Sequence, residues 1–386
     1  MGVIIDMKVL LLNQIPKVNN KYCYSLGKAL SEQNVDITVC FIETDNIKNC
    51  PTKFIKLFEN YSNLANPFKK VISYFNSWKK IKSYCIVNNI NVLHVQWYIF
   101  SPLDYIFLKR LKHEGIKIVA TIHDLMPFDK KKYDSFFIKK IYSIADHIVV
   151  QCKDIINELR TEFGICKERV SFIPHGHYMD YQQTAKYNES LKYLGIPKEG
   201  SKILFFGQIK KVKGLHVLLK AMKLVITKCP NTILMIAGKE WKDNFEEYSD
   251  KIEEYGLNNC IKPYIRFIED EEIKYFFTAA DIIALPYLES YQSGVVHLAY
   301  AYEKVVVASN IGDFKEVIDN GVTGYLTEVN NAEALAEKLI TLINDPVKRK
   351  LYGKNGTKYI KDKYSWDKIS KEILKIYCSL FNNGDI

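Results

Sequence analysis

The chain has 386 residues, 48% of them hydrophobic and 25% charged. That composition supplies sizeable cores and excludes a disordered chain, a collagen-like repeat and a disulfide-stapled miniprotein, while the length suggests two or three domains. The 54 Lys and Arg against 44 Asp and Glu leave a formal charge of +10, and residues 1–195 hold nearly all of it, with 27 basic and 18 acidic side chains. Such asymmetry points to an anionic partner for the first half, either nucleic acid or an acidic membrane surface.

Short β-rich runs alternate with longer amphipathic stretches. KVLLLNQ (8–14) reads as a buried parallel strand, followed by a helix near Tyr22–Gln33 and a strand at DITVCFI (36–42). NVLHVQW (91–97), KIVATIH (117–123), HIVVQC (147–152) and VSFIP (170–174) are further strands, with helical patterns such as Pro102–His113 and Asp154–Phe163 between several of them. Residues 176–200 are polar, contain Gly and Pro, and read as the boundary between domains. A second cycle follows: KILFFG (202–207), helix 214–228, TILMIAG (232–238), helix 243–255, YIRFI (264–268) and helix 271–279. It continues through IIALPY (282–287), helix 293–302, VVVAS (305–309), helices over 331–344 and 346–363, and a terminal amphipathic helix, Ser365–Phe381.

The expected architecture is α/β: two tandem Rossmann-like, doubly wound domains with a cleft between them. The N-terminal domain is expected over 1–190 and the C-terminal domain over 191–364, with the helix in 365–386 crossing back to the first. In such sheets ligands bind outside the carboxyl ends of the strands, so strand-ending loops should carry the chemistry. Nine cysteines are scattered with no CxxC pair, the count is odd, and no secretion signal precedes them, so free thiols in a reducing cytosol are expected. No apolar run approaches the roughly 18 residues that span a bilayer, so any membrane contact is peripheral. MGVIID before Met7 reads as an upstream start or a tag remnant.

Several chemistries lack their motifs. No G-x-G-x-x-G follows the first strand and no G-x-x-x-x-G-K-[ST] occurs, so the dinucleotide fingerprint and the P-loop are missing. There is also no D-x-D triplet, no zinc spacing and no G-x-S-x-G elbow. Metal-dependent and hydride-transfer enzymes are therefore disfavoured.

Three strand-ending loops of the second half remain. In FFGQIKKVKGLHVLLKA (205–221), Gly207, a short loop with Lys210, Lys211 and Lys213, and Gly214 opening a helix make either an anion site or a solvated basic turn. Ammonium groups and helix-start amides together neutralise a phosphate. In LPYLESYQSGVVHLAYAYEKVVVAS (285–309), a turn with Glu289 leads through Gln292, Ser293, Gly294 and Val295 into a second helix start, and two such starts suit a diphosphate. In SNIGDFKEVIDNGVTGYLTE (309–328), Gly312 allows close approach of a ligand and Glu316 can receive sugar or ribose hydroxyls.

Taken in order, FFGxI…KG (205–214), MIAGK (235–239), a strand ending in Pro286 and Tyr287, QSG (292–294) and IGDFKEVIDNGVTGYL (311–326) resemble the family-4 glycosyltransferases. TIHD (121–124) and IPHG (173–176) fit the same pattern, so the resemblance runs from Met7 to the terminal helix. It implies a GT-B fold, with a nucleotide sugar such as a UDP- or GDP-hexose held by the C-terminal domain and the acceptor by the N-terminal one. It also implies retaining transfer with no metal or other cofactor.

The family commonly has Gly-Arg where this chain has Gly207-Gln208. Lys213 matches the family's other basic position, with Lys210 as a candidate replacement for the lost charge. Of the family's paired glutamates eight residues apart, Glu289 and His297 keep the separation, whereas a frame through Pro286, Ala299 and Lys304 puts Ser290 and Leu298 there. On that frame the chain resembles a variant branch in which QSG amides hold the diphosphate. Glu289 is then a sugar-hydroxyl partner or a solvated turn carboxylate, and Glu316 matches the family's strand-loop glutamate. His123, followed by Asp124, matches the cleft histidine that hydrogen-bonds a hydroxyl near the reaction centre. Its alternative is a satisfied strand-end histidine, as His94 and His175 occupy similar contexts. The leaving diphosphate would be stabilised by the helix starts and Lys213, with domain closure excluding water and no protein nucleophile.

Residues 46–85 hold eight lysines against Glu59 alone, interleaved with Phe54, Phe58, Tyr61, Phe68, Tyr74, Phe75, Trp78 and Tyr84. Lysines among aromatics dock on an anionic leaflet at about 1 kcal/mol per lysine; the alternative is a solvated basic helix whose aromatics are core. In the resembling enzymes this region faces the membrane, so Lys69, Lys70, Trp78, Lys79, Lys80 and Lys82 are expected on the acceptor side. Nucleic acid is disfavoured, because no reading motif is present and Arg is scarce beside Lys. The expected protein is a cytoplasmic, peripherally membrane-associated retaining glycosyltransferase acting on a lipid-linked glycan in bacterial capsule, exopolysaccharide or lipopolysaccharide assembly. Its rivals are a nucleotide-sugar epimerase of similar fold and a non-catalytic partner with a decayed donor site.

Overall fold

Strands that are apolar on both faces need helices on both sides of their sheet, and the chain alternates accordingly. The computed structural model describes residues 7–15, 19–42, 52–61, 64–126, 131–241 and 244–381. Residues 1–6, on which the start-or-tag reading falls, lie outside them. The first half runs β1 (Lys8–Leu12), α1 (Asn20–Glu32), β2 (Asp36–Cys40), β3 (Lys53–Ile55), α2 (Pro67–Val87) and β4 (Val92–Val95). It goes on with α3 (Ser101–His113), β5 (Lys117–Ile122), α4 (Asp134–Ile144), β6 (His147–Val150), α5 (Asp154–Phe163) and β7 (Val170–Phe172). The second half begins with α6 (Tyr187–Leu194), β8 (Lys202–Phe206), α7 (Leu215–Lys228), β9 (Ile233–Ala237), α8 (Glu246–Glu254), β10 (Ile261–Tyr264) and α9 (Asp270–Ala279). Then come β11 (Ile282–Leu285), α10 (Gly294–Ala301), β12 (Val305–Ser309), α11 (Phe314–Val317), β13 (Gly324–Thr327), α12 (Ala332–Asn344), α13 (Pro346–Lys363) and α14 (Trp366–Ser379).

Two parallel sheets result, ordered β3-β2-β1-β4-β5-β6-β7 and β10-β9-β8-β11-β12-β13. Each reverses its winding once, between β1 and β4 and between β8 and β11, which is the doubly wound Rossmann pattern expected from the alternation. Side chains alternate across the second sheet: Ile203 and Phe205 join the core beneath α7 and α12, while Leu204 joins the core beneath α9 and α10. Contacts divide the chain into a unit through Gly176 that includes the segment from Ser365, and a second unit, His177–Tyr364. In the first unit, α14 lays Trp366, Ile369, Ile373 and Tyr377 into one core with Val9, Leu11, Leu26 and Leu30.

The structure departs from the sequence reading in several places. The units divide earlier than 190, because α6 packs on α9 and puts Leu191 and Leu194 in the core with Phe276 and Phe277. β3, α4 and β13 were not foreseen. Of YIRFI only Tyr264 is strand, ending β10; that strand is at the sheet edge, where Pro263 with no N–H is tolerated. Among the described residues, eight cysteines are free thiols and no helix is long and apolar enough to cross a membrane.

The basic stretch also needs correction. Pro67 and the Asn66 side chain, which accepts from the amides of Phe68 and Lys69, start α2, and the helix turns its aromatics inward. Trp78, expected on the membrane side, is fully buried, and its Nε1 donates to Asp104 Oδ1 at 2.9 Å. Lys80 pairs with Glu59 at 2.7 Å and Lys82 with Glu114 at 2.9 Å, while Lys79 lies over the Phe75 ring. Asp104 is the anchor: its Oδ1 also accepts from Tyr74 and Gln14, and its Oδ2 from the amides of Ile99 and Phe100. The first turns of α2 lie outside, with Phe68 73% exposed beside exposed Lys69, Val71 and Ile72 and half-buried Lys70, and so does its last turn, at Ile86 and Val87.

Candidate functional site

The switch point between β8 and β11 is where sheets of this kind take their ligands, and the second unit's candidate residues lie on the loops that follow β8, β11 and β12. After β8, the chain turns through Gly207 (φ 118°) and a 3-10 turn, Lys211–Lys213, into α7. Gly214 opens α7 at φ 67°, and a Cβ there would stand 1.9 Å from the Pro286 carbonyl oxygen. Only glycine lets the two loops lie this close. Leu288 donates its amide to Val212 at 2.7 Å, and Lys213 Nζ sits 3.7 Å from the centre of the Tyr287 ring. Lys210 instead lies over Trp241, so the two lysines face different rings and the structure does not bring them together as one phosphate clamp.

The QSG turn leads into α10 with Ser293 as its cap residue. Ser293 donates its amide to Asp313 Oδ2 at 2.9 Å, and Asp313 donates its own to Tyr291 at 3.3 Å. Gly312, at φ 53°, approaches so closely that a Cβ would stand 2.0 Å from the Ser290 carbonyl oxygen. The β11–α10 and β12–α11 loops are thus locked together. Val295 borders Gly207: a Cβ built there would lie 3.9 Å from the valine. Tyr178 lies on Gly294. Gln292, Gly294 and Glu316 are half-buried, and Glu289 is exposed. The Glu316 carbonyl accepts from the hydroxyls of Tyr359 and Tyr364, which fixes the short helix α11. His297 is buried in the core against Tyr364, so it does not serve as a displaced glutamate.

The first unit gathers a different chemistry at its strand ends. His123, just past β5, is buried between Gln96, which follows β4, and Gln151, which follows β6. Its Nδ1 lies 2.9 Å from Gln151 Oε1, and its Nε2 lies 2.8 Å from Asn19 Nδ2 and 3.1 Å from Gln96 Oε1. Trp97 stacks on the ring and Tyr22 meets it edge-on. Burial, and then the neighbouring His175, lower its pKa to about 3, so the ring is neutral. With its proton on Nδ1 it donates to Gln151 and accepts from Asn19. Half-buried Asp124 follows it directly. His94 is a satisfied core histidine, held by Tyr377 and Thr121.

Sequence reasoning missed Gln96, Gln151 and Asp313. The two glutamines end strands the sequence reading had already placed, so the rule that ligands meet the carboxyl ends of strands would have found them. Gln14 Oε1, Gln151 Nε2 and Trp97 Nε1 are buried with no hydrogen-bond partner in the protein, and such atoms are what a hydroxyl-rich ligand satisfies. Among the described residues no group of three or more His, Cys, Asp or Glu is placed to hold a metal.

Known proteins share both halves. Residues 187–376 match the family described as Glycosyl transferases group 1, and residues 20–180 the one described as Glycosyltransferase Family 4. The chain is 26% identical over 294 residues to Spore coat protein SA of Bacillus subtilis, covering 70% of this chain and 74% of that protein. It is 28% identical over 194 residues to the capsular polysaccharide biosynthesis glycosyltransferase CapM of Staphylococcus aureus, spanning half of each (50%). The solved structure of Anabaena HepE in complex with UDP-glucose matches with a TM-score of 0.77 at 18% identity, over 97% of this chain and 100% of that one. That likeness is one of fold, the GT-B fold of two tandem Rossmann-like units.

Proposed function

The chain is a glycosyltransferase of family 4, group 1, and from that premise we propose that it moves a hexose from a nucleotide-diphosphate sugar to a lipid-linked glycan, with retention. The observation that carries the donor half is the convergence of two helix starts and Lys213 on the β8/β11 switch point, locked by Gly214 against Pro286. Oriented amides and an ammonium group there stabilise the charge that develops on a departing diphosphate. The acceptor oxygen bonds to the anomeric carbon on the face the diphosphate leaves, the carbon–phosphate-oxygen bond breaks, and that phosphate oxygen takes the hydroxyl proton. His123, neutral in its amide cage, orients a hydroxyl beside the reacting one through Gln151 and Gln96 and transfers no proton itself.

A sugar acceptor suits the uncharged amides of the first unit. The setting, bacterial surface polysaccharide assembly at the cytoplasmic face of the membrane, is supported by the likeness to CapM. Anionic lipid contact is assigned to the start of α2, around Phe68, Lys69 and Lys70. Titration calorimetry with UDP-, GDP- and ADP-sugars tests the donor half. One of them should bind, and Lys213→Ala should weaken that binding about tenfold or more; binding of none refutes the reading.

A further inference from the structure

The family pattern calls for a glutamate at Ser290, and this chain has none there, yet a carboxylate from the next loop lies against the same turn. Asp313 is 3% exposed. Its Oδ2 accepts the Ser293 amide at 2.9 Å, its own amide reaches Tyr291, and Gly312 before it presses on the Ser290 carbonyl. Its Oδ1 is buried and has no hydrogen-bond partner in the protein. A carboxylate oxygen out of water with nothing to accept from is costly, and such atoms persist where a ligand completes them. Burial pushes the Asp313 carboxyl up to about 7, while the Ser293 amide and the charge of Lys213 pull it back. The lysine expected to hold the donor therefore acts on this carboxylate too.

We propose that Asp313 is the donor-site carboxylate of this chain: Oδ2 holds the start of α10, and Oδ1 accepts a hydrogen bond from a hydroxyl of the donor, on its sugar or its ribose. The missing glutamate is thereby replaced from a different loop, and its absence is no sign of a decayed site. Oδ2 of the same carboxyl group meets the Ser293 amide at the start of α10, the helix start proposed to hold the diphosphate, and in a nucleotide sugar both hydroxyl-bearing rings flank that group.

The inference rests on the nucleotide-sugar reading, and Asp313→Asn separates the two. Asparagine still accepts from Ser293 and keeps the volume, but it puts an uncharged N–H2 where Oδ1 stood. Binding of three ligands is measured on wild type and variant: the nucleotide sugar, its free nucleoside diphosphate, and inorganic pyrophosphate. The variant should bind the nucleotide sugar about tenfold or more weakly and pyrophosphate as well as wild type does. A loss confined to the nucleotide sugar assigns the hydroxyl to the sugar; an equal loss for the nucleoside diphosphate assigns it to the ribose. Unchanged affinity for the nucleotide sugar, or an equal loss for pyrophosphate, overturns the proposal. If the wild-type chain binds none of the three, the donor reading falls and this proposal with it. Should D313N melt far below wild type, Asp313→Ser, which relieves bulk in the buried site, carries the same comparison.

Discussion

Gly214→Ala tests whether the close approach of two loops builds the donor site, and Gly195→Ala is its built-in control. Both glycines hold left-handed backbone, at φ 67° and 62°, and both belong to the second unit. A Cβ at Gly195 meets nothing within 4 Å, whereas one at Gly214 would stand 1.9 Å from the Pro286 carbonyl oxygen. Forcing alanine into left-handed backbone costs about 1–2 kcal/mol at either position. Overlap with a carbonyl that cannot rotate away adds about 1–3 kcal/mol at Gly214 alone. For a unit of this size, about 1 kcal/mol moves Tm by roughly 2–4 °C. G195A should therefore melt a few degrees below wild type and G214A about twice as far below. Relief in G214A comes only by parting the loops, which moves Lys213 off Tyr287 and weakens donor binding; G195A should bind donor as wild type does. Scanning calorimetry and donor titration on the three proteins decide the matter. Equal Tm shifts with unaltered donor affinity in G214A would refute the reasoning.

Further outcomes follow from buried charge and from the surface. In Asp104→Asn, either orientation of the amide sets an N–H2 against at least two of the five donors that now meet the carboxylate; urea unfolding should show a loss of about 2 kcal/mol or more, and a loss below about 0.5 kcal/mol contradicts the anchor. Burial lowers His94 and His123 to about 3 and His175 to about 4, so the unfolded chain binds protons that the folded one refuses as pH falls below about 6.5. Stability from these groups is complete above that value and is lost toward pH 4, at up to about 1.4 kcal/mol per pH unit for each group. Asp104 and Asp313, both raised to about 7 by burial, act in the opposite sense. Below about pH 6.5, where the unfolded imidazoles are mostly protonated, three histidines outweigh two carboxyls and the net slope is positive, so urea midpoints at pH 6.5 and pH 5 should show the lower value at pH 5. Equal midpoints count against neutral buried imidazoles. Phe68→Ala with Lys69→Ala and Lys70→Ala should cut sedimentation with anionic vesicles by about fivefold per lysine, and more than Lys80→Ala with Lys82→Ala, whose ammonium groups are already paired; equal partitioning removes this face.

Much of the fold is local and was therefore legible. The spans expected at Asp154–Phe163 and 346–363 coincide with α5 and α13, because apolar spacing, caps and a leading proline act within a few residues. The switch-point loops were found the same way, since a strand, a glycine and a helix start are contiguous in the chain. β3 (KFI) and β13 (GYLT) lack the unbroken apolar run that marks the equally short β11 (IIAL), and exist because a neighbouring edge offers them a partner. Trp78 shows a different limit. Lysines interleaved with aromatics read alike for a membrane-facing helix and for one packed inward, and what decides between them is Asp104, distant in sequence, waiting for the indole N–H.

By itself the sequence determined the alternation that makes two doubly wound units, and the order of loop motifs that marks the family. The tertiary structure alone decided which side chains meet. His123 becomes neutral because the folded chain buries it beside His175, and Asp313 joins the switch-point loops because Gly312 packs onto Ser290. Periodicity is written residue by residue, whereas burial and unmet hydrogen bonds arise only when distant segments share one place.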